Sequence, residues 1–244
     1  MIIIDQGNSS AKIAFLTDSG DILRVISVKI PHDVKIEGFC EIIEASGVLE
    51  ELKKEEKMYL SSVVLELTSF WVKTFGATVV DGTWELPIKC INKEQRGTDR
   101  LMAAVAATER PAIIINLGTA TVVDAVSRDN EFLGGMIAPG IMTGIEALAE
   151  KTSRLFEVKE IVRPEKALAN TNTRDTLLSG IFYHTIGSIT AMAEAALKET
   201  GESTTIYITG GMAEVIAPYL PFKVILDRYL VIKGVYLVIK HNGM

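Results

Sequence analysis

The stretch Ile2–Phe15 reads IIIDQGNSSAKIAF, and the stretch Ile113–Val126 reads IIINLGTATVVDAV. In each, three isoleucines run into a polar residue (Asp5; Asn116), then a glycine (Gly7; Gly118), then a short polar side chain (Asn8; Thr119). A β-branched run bounded by Gly and Asn or Thr is a strand that ends in a tight turn. Both copies go on into a second apolar run, Ala11–Leu16 and Ala120–Val126. A polar turn follows (Asp18–Asp21; Arg128–Glu131), and then a third run, Ile22–Val28 and Phe132–Ile137. The offset from Ile2 to Ile113 is close to half of the 244-residue chain. Two copies of one α/β domain, related by a pseudo-twofold axis and covering 1–110 and 111–244, explain this better than two unrelated hairpins.

Outward from the two hairpins, strands and helices come in the same mixed order. In the first half, Val34–Ala45, Val48–Glu56 and Leu65–Thr74 read as helices, with Met58–Val63 and Ala77–Val80 as strands. An irregular stretch, Asp81–Gly97, leads into a helix over Asp99–Ala107, where Leu101, Met102, Val105 and Ala106 recur at helical spacing. The second half begins with the strand Ala112–Ile115. After its hairpins come helices over Gly140–Lys151 and Thr173–Thr200. They are followed by a strand Ile206–Thr209, a helix Met212–Ala217, a strand Phe222–Leu226 and a last helix Leu230–Lys240.

The carboxylate at the end of the first strand needs a reason, because an isolated buried carboxylate costs free energy unless paired or solvated. Either Asp5 caps a turn or it faces a cleft that takes something positive. Backbone N–H groups in a Gly turn form an anion-binding concavity. Two such turns facing across an interdomain cleft can hold a polyphosphate, and Asp5 beside phosphate oxygens makes sense with a cation between. Mg²⁺ is the natural choice, since it binds through one or two carboxylates, waters and phosphates. The strand–Gly-Gly–helix run IYITGGMAEV (Ile206–Val215) lets a flat ring or ribose approach the backbone at Gly210 and Gly211.

Composition narrows the function classes. A net charge of −6 argues against a general nucleic-acid binder. The mean hydropathy of +0.27 points to several buried strands. No apolar run nears the ~18 residues that a membrane span needs. Two cysteines, Cys40 and Cys90, with no paired spacing, and an N-terminus without a signal-peptide pattern, point to a reduced, cytoplasmic protein. His32, His184 and His241 are scattered and form no zinc pattern.

Duplicated halves carrying DxGN, GTAT and ITGG in this order resemble the acetate-kinase, sugar-kinase, Hsp70 and actin superfamily, and within it type III pantothenate kinases. The residues that carry the resemblance are DQGNSSAK (Asp5–Lys12), GTDR (Gly97–Arg100), NLGTATVVD (Asn116–Asp124), GGMIAPG (Gly134–Gly140), Thr173 with Gly180, and TGG (Thr209–Gly211). The fold implied is two duplicated ribonuclease-H-like domains with an interdomain nucleotide cleft. The activity implied is ATP-dependent phosphorylation of pantothenate, the first committed step of coenzyme A synthesis. Asp5, Gln6, Gly7, Asn8, Ser9, Ser10, Ala11 and Lys12 resemble the first phosphate loop, with Asp5 near Mg²⁺. Gly118 and Thr119 resemble the second nucleotide loop. Gly97, Thr98, Asp99 and Arg100 resemble the pantothenate-binding motif, with Asp99 at the general base. Thr173 resembles a further pantothenate contact, contributed across a homodimer interface.

That chemistry suits the residue types. Phosphoryl transfer to an alcohol needs positioning, charge neutralisation and an acceptor for the hydroxyl proton. A carboxylate at Asp99 supplies the acceptor, and Arg100 can grip the substrate carboxylate in bidentate fashion. A plainer role for Asp99 is to favour the start of the helix that follows.

Three positions depart from the family pattern. Asn116 stands where the family carries an Asp that binds K⁺ or NH₄⁺, which puts monovalent-cation dependence in doubt. Cys90-Ile91-Asn92-Lys93 replaces Tyr-x-Asn-Pro, so the Tyr that lines the substrate pocket is missing. Val122 stands at the last Thr of the GTATT loop. Two other readings therefore stay open: a non-catalytic relative that binds nucleotide or pantothenate and regulates a partner, and a kinase for another small hydroxy acid.

Overall fold

The computed structural model describes residues 1–31, 34–151, 161, 163–168, 172–201 and 203–244. His32 lies outside them. The chain divides into two compact units, Met1–Thr108 with Tyr229–Met244, and Glu109–Arg228.

In the first unit, β1 (Ile2–Gln6) pairs antiparallel with β2 (Ser10–Leu16), and β2 with β3 (Ile22–Lys29). On its other side β1 runs parallel to β4 (Met58–Ser62), and β4 to the two-residue β5 (Thr78–Val79), giving the order β3-β2-β1-β4-β5. All of β1 is buried, as its unbroken isoleucine run requires of a strand covered on both faces. One cover is α1 (Ile36–Ala45), α2 (Leu49–Leu52) and α3 (Leu65–Phe75). There Phe39, Phe70 and Trp71 pack edge to face, with ring centroids 5.1 to 5.7 Å apart. Such aromatic packing adds to plain area burial. α4 (Thr98–Ala106) follows the irregular stretch.

The second unit repeats this plan. β6 (Ala112–Leu117), β7 (Ala120–Val126) and β8 (Phe132–Pro139) form the antiparallel meander, and β9 (Thr205–Thr209) and β10 (Ile225–Leu226) add in parallel, in the order β10-β9-β6-β7-β8. Counted from the meander edge, the two sheets have the same strand order and senses. Its helices are α5 (Ile141–Lys151), α6 (Thr173–Thr200) and the short α7 (Ala213–Ile216).

Besides the edge strands β5 and β10, each shorter than expected, three elements differ from the sequence expectation. The helix expected over Val48–Glu56 is confined to α2, where four residues lie before Lys53, Lys54 and the acidic pair that follows. The helix expected over Met212–Ala217 is α7 running into a 3₁₀ turn at Ala217–Tyr219, which has a proline in its first turn. The last helix, α8 (Leu230–His241), packs with the first unit, although a split after residue 110 leaves it in the second. Gly234 of α8 lies so close to α4 that a Cβ there would meet the Met102 carbonyl oxygen at 1.8 Å. Tyr236 covers Gly20 and donates to the Asp18 carbonyl at 3.2 Å.

Candidate active site

The Asp5–Lys12 turn, expected as the first phosphate loop, is wired into the core of its unit. Asp5 lies across the hairpin from Lys12, and the Lys12 ammonium donates to Asp5 Oδ2 at 3.1 Å. The carboxylate is almost wholly buried, so this pairing answers part of its desolvation cost. Gln6 is buried too. Its Oε1 accepts from Trp71 Nε1 at 3.0 Å, and its Nε2 donates to the Gly7 carbonyl at 2.8 Å. Asn8 and Ser9 are exposed at the tip, Ser10 is half-buried, and Ala11 is fully buried.

The glycine N–H groups do not serve as expected. Gly7 N–H donates to the Ser10 carbonyl at 2.9 Å, and Gly118 N–H donates to the Ala120 carbonyl at 3.0 Å. Each closes its own turn, because a tight hairpin leaves that donor pointing inward across the loop. An anion cradle in either loop is therefore not built from the glycine N–H.

The GTDR run forms the turn into α4. Gly97 is the N-cap, and a Cβ on it would lie 2.8 Å from Asp99 Oδ1. Glycine here leaves that carboxylate room. Asp99 Oδ1 accepts from the Arg100 N–H at 2.8 Å, which orients the carboxyl group. Thr98 is buried and serves the scaffold: its Oγ1 donates to the Ser62 carbonyl at 3.1 Å and lies 3.0 Å from Ser61 Oγ. Cys90 joins this cluster. Burial pushes its thiol pKa up, opposed by the Arg96, Arg100 and Lys93 charges and by a hydrogen bond from Arg96. A raised pKa disfavours the thiolate that a nucleophilic cysteine uses.

In the second unit, Asn116 is the next-to-last residue of β6, beside Thr209 of β9 and Val122 of β7. The next turn, Gly118-Thr119, is pressed from two sides by glycine backbone. A Cβ on Gly210, whose φ is +98°, would lie 2.5 Å from the Leu117 carbonyl oxygen. A Cβ on Gly140 would lie 2.2 Å from the Thr119 carbonyl oxygen and 2.4 Å from that of Gly118. Gly210 is thus a close-approach and left-handed position, which explains a glycine there; nothing lies near a Cβ on Gly211. Thr173 begins α6 behind the N-cap Asn172, whose side chain accepts from the Asp175 N–H at 2.9 Å. Thr173 lines a cavity of about 700 Å³ between β7, β8, α5 and α6, with Gly140, Leu177, Gly180 and His184. The hydroxyl of Thr143, which sequence reading did not single out, donates to the Thr119 carbonyl at 2.8 Å. A threonine in a helix carries no letter-level signal for that contact.

Among the described residues no group of three or more His, Cys, Asp or Glu could hold a metal ion alone. A Mg²⁺ carried in with nucleotide phosphates needs only one or two protein carboxylates. Asp5, the carboxylate that the resemblance puts near the metal, is paired with the Lys12 ammonium, a contact that a metal ion would have to share. A monovalent cation at Asn116 fits poorly: the side chain brings no charge, and its cross-strand neighbour is Val122.

Two five-stranded sheets of one topology, each with a polar residue and a glycine turn at the end of its first strand, define a duplicated ribonuclease-H-like fold of the acetate-kinase, sugar-kinase, Hsp70 and actin class. Solved structures agree on the fold. A Campylobacter jejuni protein crystallised as a candidate Baf family transcriptional activator superposes with a TM-score of 0.65 at 21% identity, covering 99% of this chain and 98% of that one. The activator of 2-hydroxyisocaproyl-CoA dehydratase from Clostridium difficile, with bound ADPNP, gives a TM-score of 0.57 at 13% identity, covering 99% and 96%. The family described as type III pantothenate kinase matches residues 1–195. A type III pantothenate kinase of Persephonella marina is 32% identical over 98% of both chains. The chain belongs to the type III pantothenate kinase family.

Proposed function

We propose that this protein phosphorylates pantothenate with ATP, giving 4'-phosphopantothenate for coenzyme A biosynthesis. It is a phosphotransferase acting on an alcohol. Family membership over most of the chain supports this reading. The observation that carries it to chemistry is the Asp99 carboxylate, intact and oriented by the Arg100 N–H in the GTDR turn.

In this reading Asp99 takes the proton from the attacking hydroxyl, and the Arg100 guanidinium holds the carboxylate of pantothenate. Gly97 and Cys90 shape the rest of the substrate pocket, while Thr98 anchors the turn through Ser61 and Ser62. Thr173 adds a substrate contact in a homodimer. The Asp5–Lys12 loop and the Gly118–Thr119 and Gly210–Gly211 turns bind the nucleotide. Asp5 holds Mg²⁺, which when bound neutralises charge on the phosphates. Asn116 holds no monovalent cation.

The setting is the cytoplasm. Both cysteines are free, and no helix among the described residues is long and apolar enough to cross a membrane. Nucleic acid is not a partner.

The test is a coupled assay with ATP, Mg²⁺ and pantothenate, with release of ADP and formation of the phosphate ester followed together. Nucleotide binding with no ester formed would favour a regulatory relative. Turnover of another hydroxy acid in preference to pantothenate would assign a different substrate to the Cys90 pocket.

A further inference from the structure

The Thr119 carbonyl accepts two hydrogen bonds, from the Gly140 N–H at 3.0 Å and from Thr143 Oγ1 at 2.8 Å. The first has a counterpart in the other unit, where the Ile30 N–H donates to the Ser9 carbonyl at 2.9 Å just after β3. It is therefore a property of the duplicated meander. The second bond comes from a side chain. Thr143 lies in the first turn of α5, where a threonine hydroxyl commonly bonds within its own helix. Here it reaches a carbonyl 24 residues away in sequence. Gly140 makes this approach feasible, since any Cβ on it would strike the Gly118 and Thr119 carbonyls.

A peptide unit is planar, so fixing the Thr119 carbonyl also fixes the Ala120 N–H, which points the opposite way in the same plane. We propose that Thr143 is a positioning residue for the nucleotide: its hydroxyl locks the Thr119 peptide, and with it the Gly118-Thr119 turn, in the orientation that binds ATP. This rests on the assignment of that turn to the nucleotide. Thr143 itself does not touch the reacting atoms. It acts through Thr119, so its loss affects nucleotide affinity first and leaves the pantothenate side unchanged.

The experiment titrates a fluorescent ADP analogue into the full-length wild type, Thr143→Val and Thr143→Ser, and measures KM for ATP and for pantothenate in each. Valine keeps the shape and removes the donor, and serine restores the donor. One neutral hydrogen bond corresponds to a weakening of about three- to tenfold. Thr143→Val is expected to raise the dissociation constant and the KM for ATP by that factor, with KM for pantothenate unchanged. Thr143→Ser is expected to return both to within about twofold of wild type. Unchanged affinity in the valine variant overturns the proposal, as does a serine variant no better than valine or an equal rise in both KM values. A wild type that binds the ADP analogue but phosphorylates no pantothenate overturns the proposed function alone, and the dissociation constants then decide this inference. A wild type that binds no nucleotide overturns both.

Discussion

Asp99 sits where a carboxylate already has a structural use, in the first turn of α4, with one oxygen on the Arg100 N–H. A carboxylate there gains about 0.3–1 kcal/mol from the helix dipole, and asparagine keeps the acceptor while losing the base. The two roles therefore separate in one variant. Asp99→Asn is expected to lower turnover by ~10²–10⁴-fold while its thermal melt stays close to wild type. Turnover near wild type would leave Asp99 with only its place at the helix start. Asn116 poses the matching question in the other unit. In β1 and β2, Asp5 faces Lys12; in β6 and β7, Asn116 faces Val122. An ungapped reading of the letters puts Val123 there, because the second turn is one residue tighter. The register shows that carboxylate and ammonium are both missing from the second copy, leaving a neutral pair. Unit charges ~4 Å apart at an effective dielectric near 20 interact by about 4 kcal/mol. Losing such an attraction empties a modest cation site. Exchange of K⁺ for Na⁺ at fixed ionic strength is expected to change turnover by less than about twofold, an effect worth under ~0.5 kcal/mol. Strong activation specific to K⁺ or NH₄⁺ would show that other oxygens replace the carboxylate.

At the scale of elements, the two meanders were legible because their residues alternate or run apolar over whole strands and stop at Gly, Asp and Asn. β5 and β10 were over-read in length, since an apolar run does not reveal that only two residues find a ladder partner at a sheet edge. DQGNSSAK and GTDR were legible because each is contiguous. The grip of Thr143 on Thr119 and of Trp71 on Gln6 was not, because it joins elements distant in sequence through ordinary side chains. The seating of α8 falls in the same class. Gly234 in mid-helix costs about 1 kcal/mol against alanine in propensity, and letters alone give no reason for it. The reason is the 1.8 Å approach of a would-be Cβ to the Met102 carbonyl of α4. Backbone cannot yield as a side-chain tip can, and overpacking of this kind costs about 1–3 kcal/mol or more. Gly234→Ala is therefore expected to lower the midpoint of thermal unfolding by several degrees, at roughly 2–4 °C per kcal/mol for a chain of this size, despite better helix propensity. An unchanged or higher midpoint in differential scanning calorimetry would mean that α8 shifts freely on α4.

For the molecule as a whole, the open question is what covers α6. One stripe of this 28-residue helix is spent on its own sheet, with Phe182, Ile189, Ala193 and Ala196 buried. Apolar side chains continue around it: Leu177, Leu178, Ile181, Ile186 and Met192 are only partly covered, and Tyr183 is 48% exposed. A helix apolar on more than one face is one that is covered on more than one side. The neighbouring α5 adds to the patch, with Leu148 on the same cavity as Leu177 and 41% exposed. Clustered exposed apolar side chains of this kind mark an interaction site. A twofold contact, in which the same patch meets itself, is the commonest closed arrangement. The chain is expected to run in light scattering at roughly twice its 26.6 kDa mass at micromolar concentration. Ile181→Asp, placing a charge on that face, is expected to shift it to the monomer. Turnover should fall with dissociation, because the resemblance assigns Thr173 to the substrate site across the interface. A wild-type monomer would refute the dimer outright. A monomeric Ile181→Asp variant with full activity would show instead that Thr173 serves its own chain or none.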